Sequence, residues 1–308
     1  MDCFRLHVLG CGSALPTGRH NLSAQVLDVR GKLFLIDCGE GTQLQFRHTR
    51  LNYNKITDVF ISHLHGDHCF GLIGLISTMS LLGRIAPLRL HAHADLEKVL
   101  RPQLDYFCRD LSYEVQFQPL DPTVSEKIYE DRTVQVWTLP LRHRVPCCGF
   151  LFREQPRQPH IIKEMIDFHQ IPLRDIPAIK AGADFVKPDG SVVPNAYLTR
   201  PAKPTVSYAY CSDTAYCESL IPLLQGVDVL YHEATYGEDL HDRCEAYFHS
   251  SAAMAATLAS RAGVGKLLLG HFSARYADEQ VLLDEARAIF PNSFLSAEGL
   301  TVDIEKTV

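Results

Sequence analysis

The feature that most constrains this chain is the hexapeptide His-Leu-His-Gly-Asp-His at residues 63–68. It follows an apolar run, 57–62, whose composition predicts a buried strand. Histidines two residues apart on an extended chain point to the same side, and Gly66 permits a tight turn that brings Asp67 and His68 back toward them. Neutral imidazole and carboxylate are ligands that Zn²⁺ accepts. The hexapeptide therefore predicts a zinc site rather than separate buried histidines, because each of those would need its own polar partner.

Three further candidate ligands share one position, just beyond the carboxyl end of a predicted strand. They are His143, Asp213 and His271, and the strands before them are predicted at 134–141, 205–211 and 266–269. Active sites of α/β sheets gather at such ends, where loops converge. With the hexapeptide, these residues supply enough ligands for two ions, and a carboxylate such as Asp213 can bridge metals about 3.5–4 Å apart. The alternative for each is a separate structural role, since strand ends alone place it.

The rest of the pattern alternates strands with helices. Further strands are predicted at 4–9, 23–29, 32–36, 57–62, 88–91 and 227–231, and helices at 70–82, 95–104, 250–262 and 278–290. Such interleaving predicts a layered α/β architecture. Asp37 lies at another strand end, and we expect it to orient a ligand histidine. His91 and His93 repeat the histidine spacing without the following Asp-His, so we expect hydrogen-bonded histidines there.

Residues 153–204 break this pattern. The segment is rich in proline and charge, is poor in apolar periodicity, and has one possible short helix at 161–168. Loops of this length inside compact domains are uncommon and usually functional. It carries eight basic and six acidic residues, a net charge of +2 against −6 for the whole chain. We interpret it as a mildly basic insertion that projects from the body; the alternative is a solvated surface loop.

Composition sets the class of protein. The 308 residues are 46% hydrophobic and 21% charged, as in an ordinary globular protein. No apolar run approaches the roughly 18 residues of a membrane helix, and the first residues do not resemble a signal peptide. Ten scattered cysteines without a C-x-x-C pair are expected to be buried small hydrophobes in a reducing compartment. We therefore expect a cytoplasmic protein that does not contact membranes.

Several segments together resemble one enzyme family. They are 9–13, 16–21, 37–43, 62–68, 212–214, 232–235, 249–252 and 271–276. Over nearly the whole chain they are similar to the short form of ribonuclease Z, the tRNA 3′-processing endonucleases of the metallo-β-lactamase superfamily. Lactamases, glyoxalases, lactonases and phosphodiesterases share the hexapeptide. The segments at 232–235, 249–252 and 271–276 favour ribonuclease Z.

The resemblance implies a fold and a ligand set. The fold is the metallo-β-lactamase αββα sandwich, one domain over 1–308 with an inserted exosite arm at 153–204. Two Zn²⁺ per subunit are implied, with Asp213 bridging them. The implied ligands of the first zinc are His63, His65 and His143, and those of the second are Asp67, His68 and His271.

The resemblance also implies a substrate and an assembly. The family removes the 3′ trailer from pre-tRNA and leaves a 3′-hydroxyl on the tRNA. A homodimer is implied, in which the arm of one subunit grips the tRNA elbow while the other subunit cuts. This chain differs from the family in its arm, where 171–177 lacks the usual Gly-Pro-rich motif.

Three catalytic residues follow from the same resemblance. His249 is implied as the general acid that protonates the leaving 3′-oxygen, and Glu233 as the carboxylate that holds its tautomer. Asp67 would orient or deprotonate the attacking water as well as bind metal. Arg275 is a candidate for substrate binding, since the guanidinium fork suits a phosphate; a surface ion pair is the alternative. A helix N-terminal role for His249 and a structural role for Glu233 also stay open.

Two other functions remain to be distinguished. The first is a zinc phosphodiesterase that acts on small or cyclic phosphodiesters or on other RNA, which needs the same metals and no arm. The second is a non-catalytic RNA-binding module that has kept the fold. A set of seven metal ligands argues against the second, because a binding module does not need them.

Overall fold

The computed structural model describes residues 3–304. Met1 and Asp2, the start of the segment read for a signal peptide, lie outside the described residues, as do 305–308. The chain divides into two compact units, one made of residues 1–154 with 206–308 and the other of Gln155–Thr205. Within the described part, no helix combines the length and apolar character needed to span a bilayer.

Strands dominate the structure. In chain order they are β1 (Phe4–Gly10), β2 (Ala24–Val29), β3 (Lys32–Ile36), β4 (Ile56–Phe60), β5 (Leu88–His93), β6 (Val115–Leu120), β7 (Lys127–Glu130), β8 (Val134–Pro140), β9 (Cys148–Glu154), β10 (His160–Ile161), β11 (Phe185–Val186), β12 (Val192–Val193), β13 (Thr199–Arg200), β14 (Ser207–Cys211), β15 (Val229–Glu233), β16 (Lys266–Gly270), β17 (Ser293–Leu295) and β18 (Thr301–Asp303).

The helices lie between and around these strands. They are α1 (Thr42–His48), α2 (Gly66–Cys69), α3 (Leu72–Leu81), α4 (Asp95–Phe107), α5 (Lys163–His169), α6 (Ile176–Lys180), α7 (Asn195–Leu198), α8 (His241–Tyr247), α9 (Ala252–Ala262) and α10 (Gln280–Ile289). Short 3₁₀ turns occur at Tyr53–Lys55, Leu173–Asp175, Glu218–Leu220 and Glu238–Leu240.

The first large sheet has the order β18-β1-β2-β3-β4-β5-β6. Strands β1 to β3 are antiparallel, and β3 to β6 run parallel to one another. The β2–β3 hairpin turns at Arg30 (φ 55°) and Gly31 (φ 87°), the positive values that a two-residue type I′ turn requires. The parallel strands end at one edge, where the hexapeptide begins.

The second large sheet has the order β17-β16-β15-β14-β9-β8-β7. Strands β7, β8, β9 and β14 pair antiparallel, whereas β14 to β17 are parallel. Helices α9 and α10 pack on β15, β16 and β17. The carboxyl ends of β14, β15 and β16 therefore share an edge, and the loops that follow carry polar residues close to these ends, among them Asp213, Thr235 and His271.

The two sheets pack face to face through aromatic side chains. Phe34 and Phe60 of the first sheet meet Phe150 and Phe152 of the second, with ring centroids 5.4 Å apart for Phe60 and Phe150 and 6.0 Å apart for Phe34 and Phe152. All four are 0% exposed. A second core, with Leu75 among its members, lies where α1, α3 and α4 cover the outer face of the first sheet. The layers are therefore helix, sheet, sheet and helix, the predicted αββα sandwich.

The unit Gln155–Thr205 has a small core of its own. Strand β10 pairs with β13, and β11 pairs with β12. Its buried apolar residues are Ile171, Ile179, Phe185, Val193 and Leu198. The expectation of a segment with one short helix was too simple, because apolar residues scattered along its sequence converge only in the folded unit.

The cysteines are all free thiols. Six are buried, whereas Cys3, Cys69, Cys108 and Cys217 are partly exposed. The expectation that all ten are buried was therefore wrong for these four.

Candidate metal centre

The hexapeptide turns directly after β4 and enters the single helical turn α2. His65 lies at the N-cap, and Asp67 and His68 lie within the turn. A Cβ at Gly66 would lie 2.3 Å from the ring of Phe70, so a larger residue there would require this exposed ring to move. His68 is 0% exposed and Asp67 is 8% exposed. The local sequence thus buries polar ligands at the edge where both sheets end.

One group of four donors gathers around His65. The Nε2 atoms of His63 and His143 lie 3.0 and 3.2 Å from Nδ1 of His65. The same two Nε2 atoms each lie 3.7 Å from Oδ2 of Asp213. The structure therefore brings together three imidazoles from two distant segments with one carboxylate.

A second group lies on the other side of Asp213. Asp67 Oδ2 is 3.3 Å from Nε2 of His68 and 3.5 Å from Nε2 of His271. Asp213 Oδ1 is 3.2 Å from Nε2 of His68 and 3.1 Å from Nε2 of His271. The two oxygens of Asp213 thus face different groups, which is the arrangement of a bridging carboxylate.

The donor atoms fit divalent cations. Nε2 of His68 and Nε2 of His271 are buried and have no hydrogen-bond partner within residues 3–304. Each points instead at carboxylate oxygens and at other imidazoles, and a buried polar atom left in this way costs about 1–3 kcal/mol. The six histidine and aspartate side chains beside Asp213 divide into the two groups described above, each within 4.8 Å. A cation in each group would satisfy these atoms.

The electrostatics also favour cations. Burial, with the charge of His68, lowers the pKa of His63 well below the usual histidine value, which keeps its lone pair available. Burial alone would lower the pKa of His68, yet Asp213 and Asp37 raise it well above the usual value. The pKa of Asp213 is held well below its usual range by His271, His68 and His63, against the opposing effect of burial. Asp213 is therefore ionised, and its carboxylate attracts positive charge.

Asp37 orients the candidate ligand His68. Its Oδ2 accepts hydrogen bonds from Nδ1 of His68 at 2.7 Å, from Ser62 Oγ at 2.8 Å and from the Tyr210 hydroxyl at 2.7 Å. Ser62 N–H donates to its Oδ1 at 2.7 Å. These bonds fix Nδ1 of His68 as a donor and leave Nε2 free to face the cluster.

Backbone conformation at the strand ends is unusual. Asp37 (φ 56°), Asp213 (φ 44°) and His271 (φ 57°) are non-glycine residues in the left-handed region. Such residues cost roughly 1–3 kcal/mol each and persist where the surroundings fix them, often at functional sites. Each of these residues lies one or two positions past the end of its strand. The side chains of Asp213 and His271 join the groups described above, and that of Asp37 holds His68.

Beside the ligands lies a second polar group built on Glu233. Both carboxylate oxygens of Glu233 lie 3.1 Å from Nδ1 of His249. Thr235 Oγ donates to Glu233 at 2.6 Å and lies 2.9 Å from Nδ1 of His271. Burial would lower the pKa of His249, but the Glu233 carboxylate raises it to about 9. His249 also lies within 4.8 Å of Asp213 and His271, so its ring borders the metal cluster.

A cavity of about 580 Å³ opens over both groups. His65, Asp67, His143, Asp213, His249 and His271 all line it, as do Arg144, Tyr236 and Tyr247, which sequence reasoning did not assign. Arg275 is exposed and is not among the residues that line the cavity, whereas Ser273, two positions before it, does line the cavity. His91 lies elsewhere, with Nε2 2.9 Å from Asp58 Oδ1, hydrogen-bonded as expected.

Comparison with known proteins identifies relatives of this chain by sequence. A sequence model of the family described as Anti-Pycsar protein Apyc1 matches residues 4–155. Curated proteins named Ribonuclease Z match nearly end to end: that of Phocaeicola vulgatus is 53% identical over 99% of this chain and 99% of its own. The Ribonuclease Z of Bacteroides fragilis is 52% identical, over 99% of this chain and 100% of the relative's length. That of Porphyromonas gingivalis is 47% identical with the same coverage.

Solved structures share the architecture. Human tRNase Z, short form, superposes with a TM-score of 0.70 at 24% identity, covering 98% of this chain and 100% of that chain. The metallo-β-lactamase fold protein YhfI from Bacillus subtilis superposes with a TM-score of 0.69 at 19% identity, covering 98% of this chain and 100% of that chain. A long-form RNase Z from yeast gives 0.68 at 16% identity, covering 99% of this chain and 42% of that chain. At these identities the superpositions establish a shared fold.

Proposed function

The chain belongs to the ribonuclease Z family of metallo-β-lactamase-fold nucleases, and on that premise we propose that it removes the 3′ trailer from pre-tRNA with two bound zinc ions. The observation that carries the proposal is the position of Asp213, whose two oxygens face two separate ligand groups. A site for one metal ion, or a surface that only binds RNA, does not require a carboxylate between two sets of imidazoles, whereas a two-metal site does.

The ligand groups define which residues would hold each ion. His63, His65 and His143 would hold one zinc, and Asp67, His68 and His271 the other, with Asp213 shared. When bound, a zinc pair supplies Lewis acidity toward the phosphodiester and lowers the pKa of the attacking water toward 7. Nitrogen and oxygen donors in this mixture suit zinc, which accepts both.

Asp67 has a second proposed task. Its carboxylate lines the cavity, and although burial acts to raise its pKa, the neighbouring imidazoles of His271 and His68 hold that pKa well below the usual value. It is therefore ionised at neutral pH and accepts a hydrogen bond from the attacking water. The hydrogen bond orients the water so that a lone pair on the water oxygen points toward the phosphorus atom.

His249 is the proposed general acid. Glu233 is ionised, because the charge of His249 lowers its pKa against the effect of burial, so it only accepts hydrogen bonds. Nδ1 of His249 must then carry a proton, and the raised pKa of about 9 keeps a second proton on Nε2. That proton passes to the leaving 3′-oxygen. The products are a tRNA 3′-hydroxyl and a 5′-phosphate on the trailer.

The insertion is the proposed substrate arm. Its exposed basic residues include Arg174, Arg200 and Lys203, which suit contacts to tRNA phosphates. We further propose a cytoplasmic homodimer in which the arm of each subunit serves the site of the other. Arg275, exposed near the cavity-lining Ser273, is proposed to contact the substrate phosphate.

Replacing Gln155–Thr205 with a short Gly-Ser linker tests the substrate assignment. Cleavage of a 3′-extended pre-tRNA should collapse, while hydrolysis of a small chromogenic phosphodiester continues at the parent rate. A matched control keeps the arm and changes Arg174, Arg200 and Lys203 to Gln, which should weaken pre-tRNA binding and its salt dependence only in part. Equal loss of both activities would mean that the replacement damaged the site.

The same experiment separates the alternative, a zinc phosphodiesterase of small or cyclic substrates. For that enzyme the parent would hydrolyse the small phosphodiester well and cut pre-tRNA poorly, and removing the arm would change neither rate. The arm deletion therefore distinguishes the two functions without any change to the metal ligands.

A further inference from the structure

A third group of metal-type side chains lies outside the catalytic cavity. Cys11 follows β1, His20 lies in the loop before β2, and Glu298 lies between β17 and β18. Cys11 Sγ is 3.4 Å from Nδ1 of His20 and 3.7 Å from Oε1 of Glu298, and Nδ1 of His20 is 3.1 Å from Oε2 of Glu298. One thiol, one imidazole and one carboxylate thus lie in contact with one another.

The spacing of these three side chains is that of ligands around one ion. Tetrahedral zinc with Zn–S near 2.3 Å and Zn–N and Zn–O near 2.0–2.2 Å places its donors about 3.2–3.7 Å from one another. Cys11 Sγ lies 3.4 Å from His20 Nδ1 and 3.7 Å from Oε1 of Glu298, and His20 Nδ1 lies 3.1 Å from the other Glu298 oxygen, Oε2. Each separation lies at or within about 0.1 Å of that range. A thiolate and a carboxylate together also balance the charge of Zn²⁺, and zinc readily accepts a mixed S, N and O set.

The surroundings orient His20 as a ligand would be oriented. Its other nitrogen, Nε2, lies 3.3 Å from Oε1 of Glu279, and Arg19 holds that carboxylate at 2.8 Å. Metal-bound histidines almost always donate their second N–H to such a carboxylate. With that proton on Nε2, the Nδ1 lone pair faces Cys11 and Glu298. The backbone N–H of Asn21 holds Glu298 Oε1 at 2.8 Å, which fixes the remaining ligand.

We propose that Cys11, His20 and Glu298 bind a structural zinc ion, separate from the catalytic pair. Cys11 and Glu298 are 287 residues apart, so the ion would join the N-terminal loop to the C-terminal segment. The loop also pairs with the residue after the ligand His271: Phe272 N–H donates to Cys11 O at 3.0 Å, and the rings of His20 and Phe272 are 5.6 Å apart. The ion would thus brace the segment that presents His271.

A metal-free network is the competing explanation. In it the thiol of Cys11 donates to the carbonyl of Ser296, 3.5 Å away, and a protonated His20 lies between Glu298 and Glu279. This network satisfies the same atoms without an ion. The two states differ in one observable property, since only the metal site contains a deprotonated cysteine bound to a metal.

Cobalt substitution distinguishes these states, because Co²⁺ bound to thiolate gives a near-ultraviolet charge-transfer band that nitrogen and oxygen ligands do not give. All donors of the catalytic groups are nitrogen or oxygen. We expect the band in wild-type protein loaded with Co²⁺, saturating at one ion per chain. Cys11→Ser should abolish it. Cys69→Ser and Cys147→Ser, which change the thiols beside the hexapeptide and Asp213, should leave it intact.

Zinc content gives a second measurement that does not depend on the band. Wild-type protein should hold one more zinc per chain than Cys11→Ser and than Glu298→Gln, with the catalytic complement unchanged in both variants. Absence of the band in wild-type protein, or a band that survives in Cys11→Ser, would overturn the proposal. Because the wild-type band is read without any substitution, the test stands even if a variant fails to fold, and it does not depend on the number of catalytic ions.

Discussion

The ligand groups and the Glu233 group lie side by side but differ in how their polar atoms are partnered. At the ligands, imidazole nitrogens and carboxylate oxygens face one another, and Nε2 of His68 and of His271 lack hydrogen-bond partners within residues 3–304. At Glu233, both oxygens accept hydrogen bonds, from the Thr214 N–H, Thr235 and His249. On our proposal, cations supply the missing partners in the first region, whereas the polar atoms of the second are satisfied by the protein itself. Metal binding and proton delivery should therefore be separable by mutation.

The largest effect should come from removing the shared ligand. Asp213→Ala takes a carboxylate oxygen from both ligand groups, so the variant should lose at least one zinc per chain. Activity should fall by about 10³-fold or more, since metal stabilisation is worth several kcal/mol and each 1.4 kcal/mol is tenfold. Metal analysis beside initial rates checks this. A variant with full zinc content and near-normal rate would mean that Asp213 does not bridge.

His249→Ala should separate the two regions. We expect kcat for pre-tRNA to fall about 10²–10⁴-fold with zinc content unchanged, as loss of a general acid does. A p-nitrophenyl phosphodiester has a leaving group that needs no proton, so its hydrolysis should fall far less. Loss of zinc in this variant would instead make His249 a ligand, consistent with its position near Asp213 and His271.

Asp37→Asn should act through a ligand rather than on the substrate. The change removes the negative charge that holds Nδ1 of His68 at 2.7 Å. Zinc affinity or activity should fall about 10–100-fold, the usual effect of a residue that orients a ligand. Excess zinc should restore much of the rate. If excess zinc gave no recovery, a direct role in the reaction would replace the positioning role.

The smallest effect on activity is expected at Asp58, a buried carboxylate satisfied by protein cations. Burial would raise its pKa, but hydrogen bonds from Arg89, at 2.6 and 2.7 Å, and from His91 lower it to about 2. Because the unfolded value is about 3.9, its stabilisation is complete above pH 4 and declines as pH falls toward 2. Asp58→Asn should therefore lower unfolding free energy by about 2–3 kcal/mol at pH 7. Denaturant titrations at several pH values check this, and kcat should not change.

Sequence reasoning predicted what is local and what lies at strand ends. The hexapeptide carries four ligand candidates within six residues, so its grouping follows from backbone geometry alone. His143, Asp213 and His271 were placed because each follows a strand, and β8, β14 and β16 do end just before them. The alternation of strands with helices predicted a layered α/β architecture, and the family resemblance implied its αββα form.

Contacts between distant segments could not be predicted from the pattern. Tyr210 donates to Asp37 across 173 positions, and Thr235 links Glu233 with His271. Strand β7 was missed because its short sequence, Lys127–Glu130, has no apolar alternation that distinguishes it from a loop. Cys11 was expected to be an ordinary buried cysteine, because nothing in the sequence brings His20 and Glu298 to its side.

The most direct test of the central claim is cleavage of a 3′-extended pre-tRNA by zinc-loaded protein, with Asp67→Ala as the control. Our account predicts a single cut just after the discriminator base, a 3′-hydroxyl on the tRNA product, and no cleavage by the control. Asp67 is the residue changed in the control because it is a proposed ligand of one ion and is also proposed to accept a hydrogen bond from the attacking water. Efficient hydrolysis of a small phosphodiester by a wild-type protein that leaves pre-tRNA uncut would contradict the account.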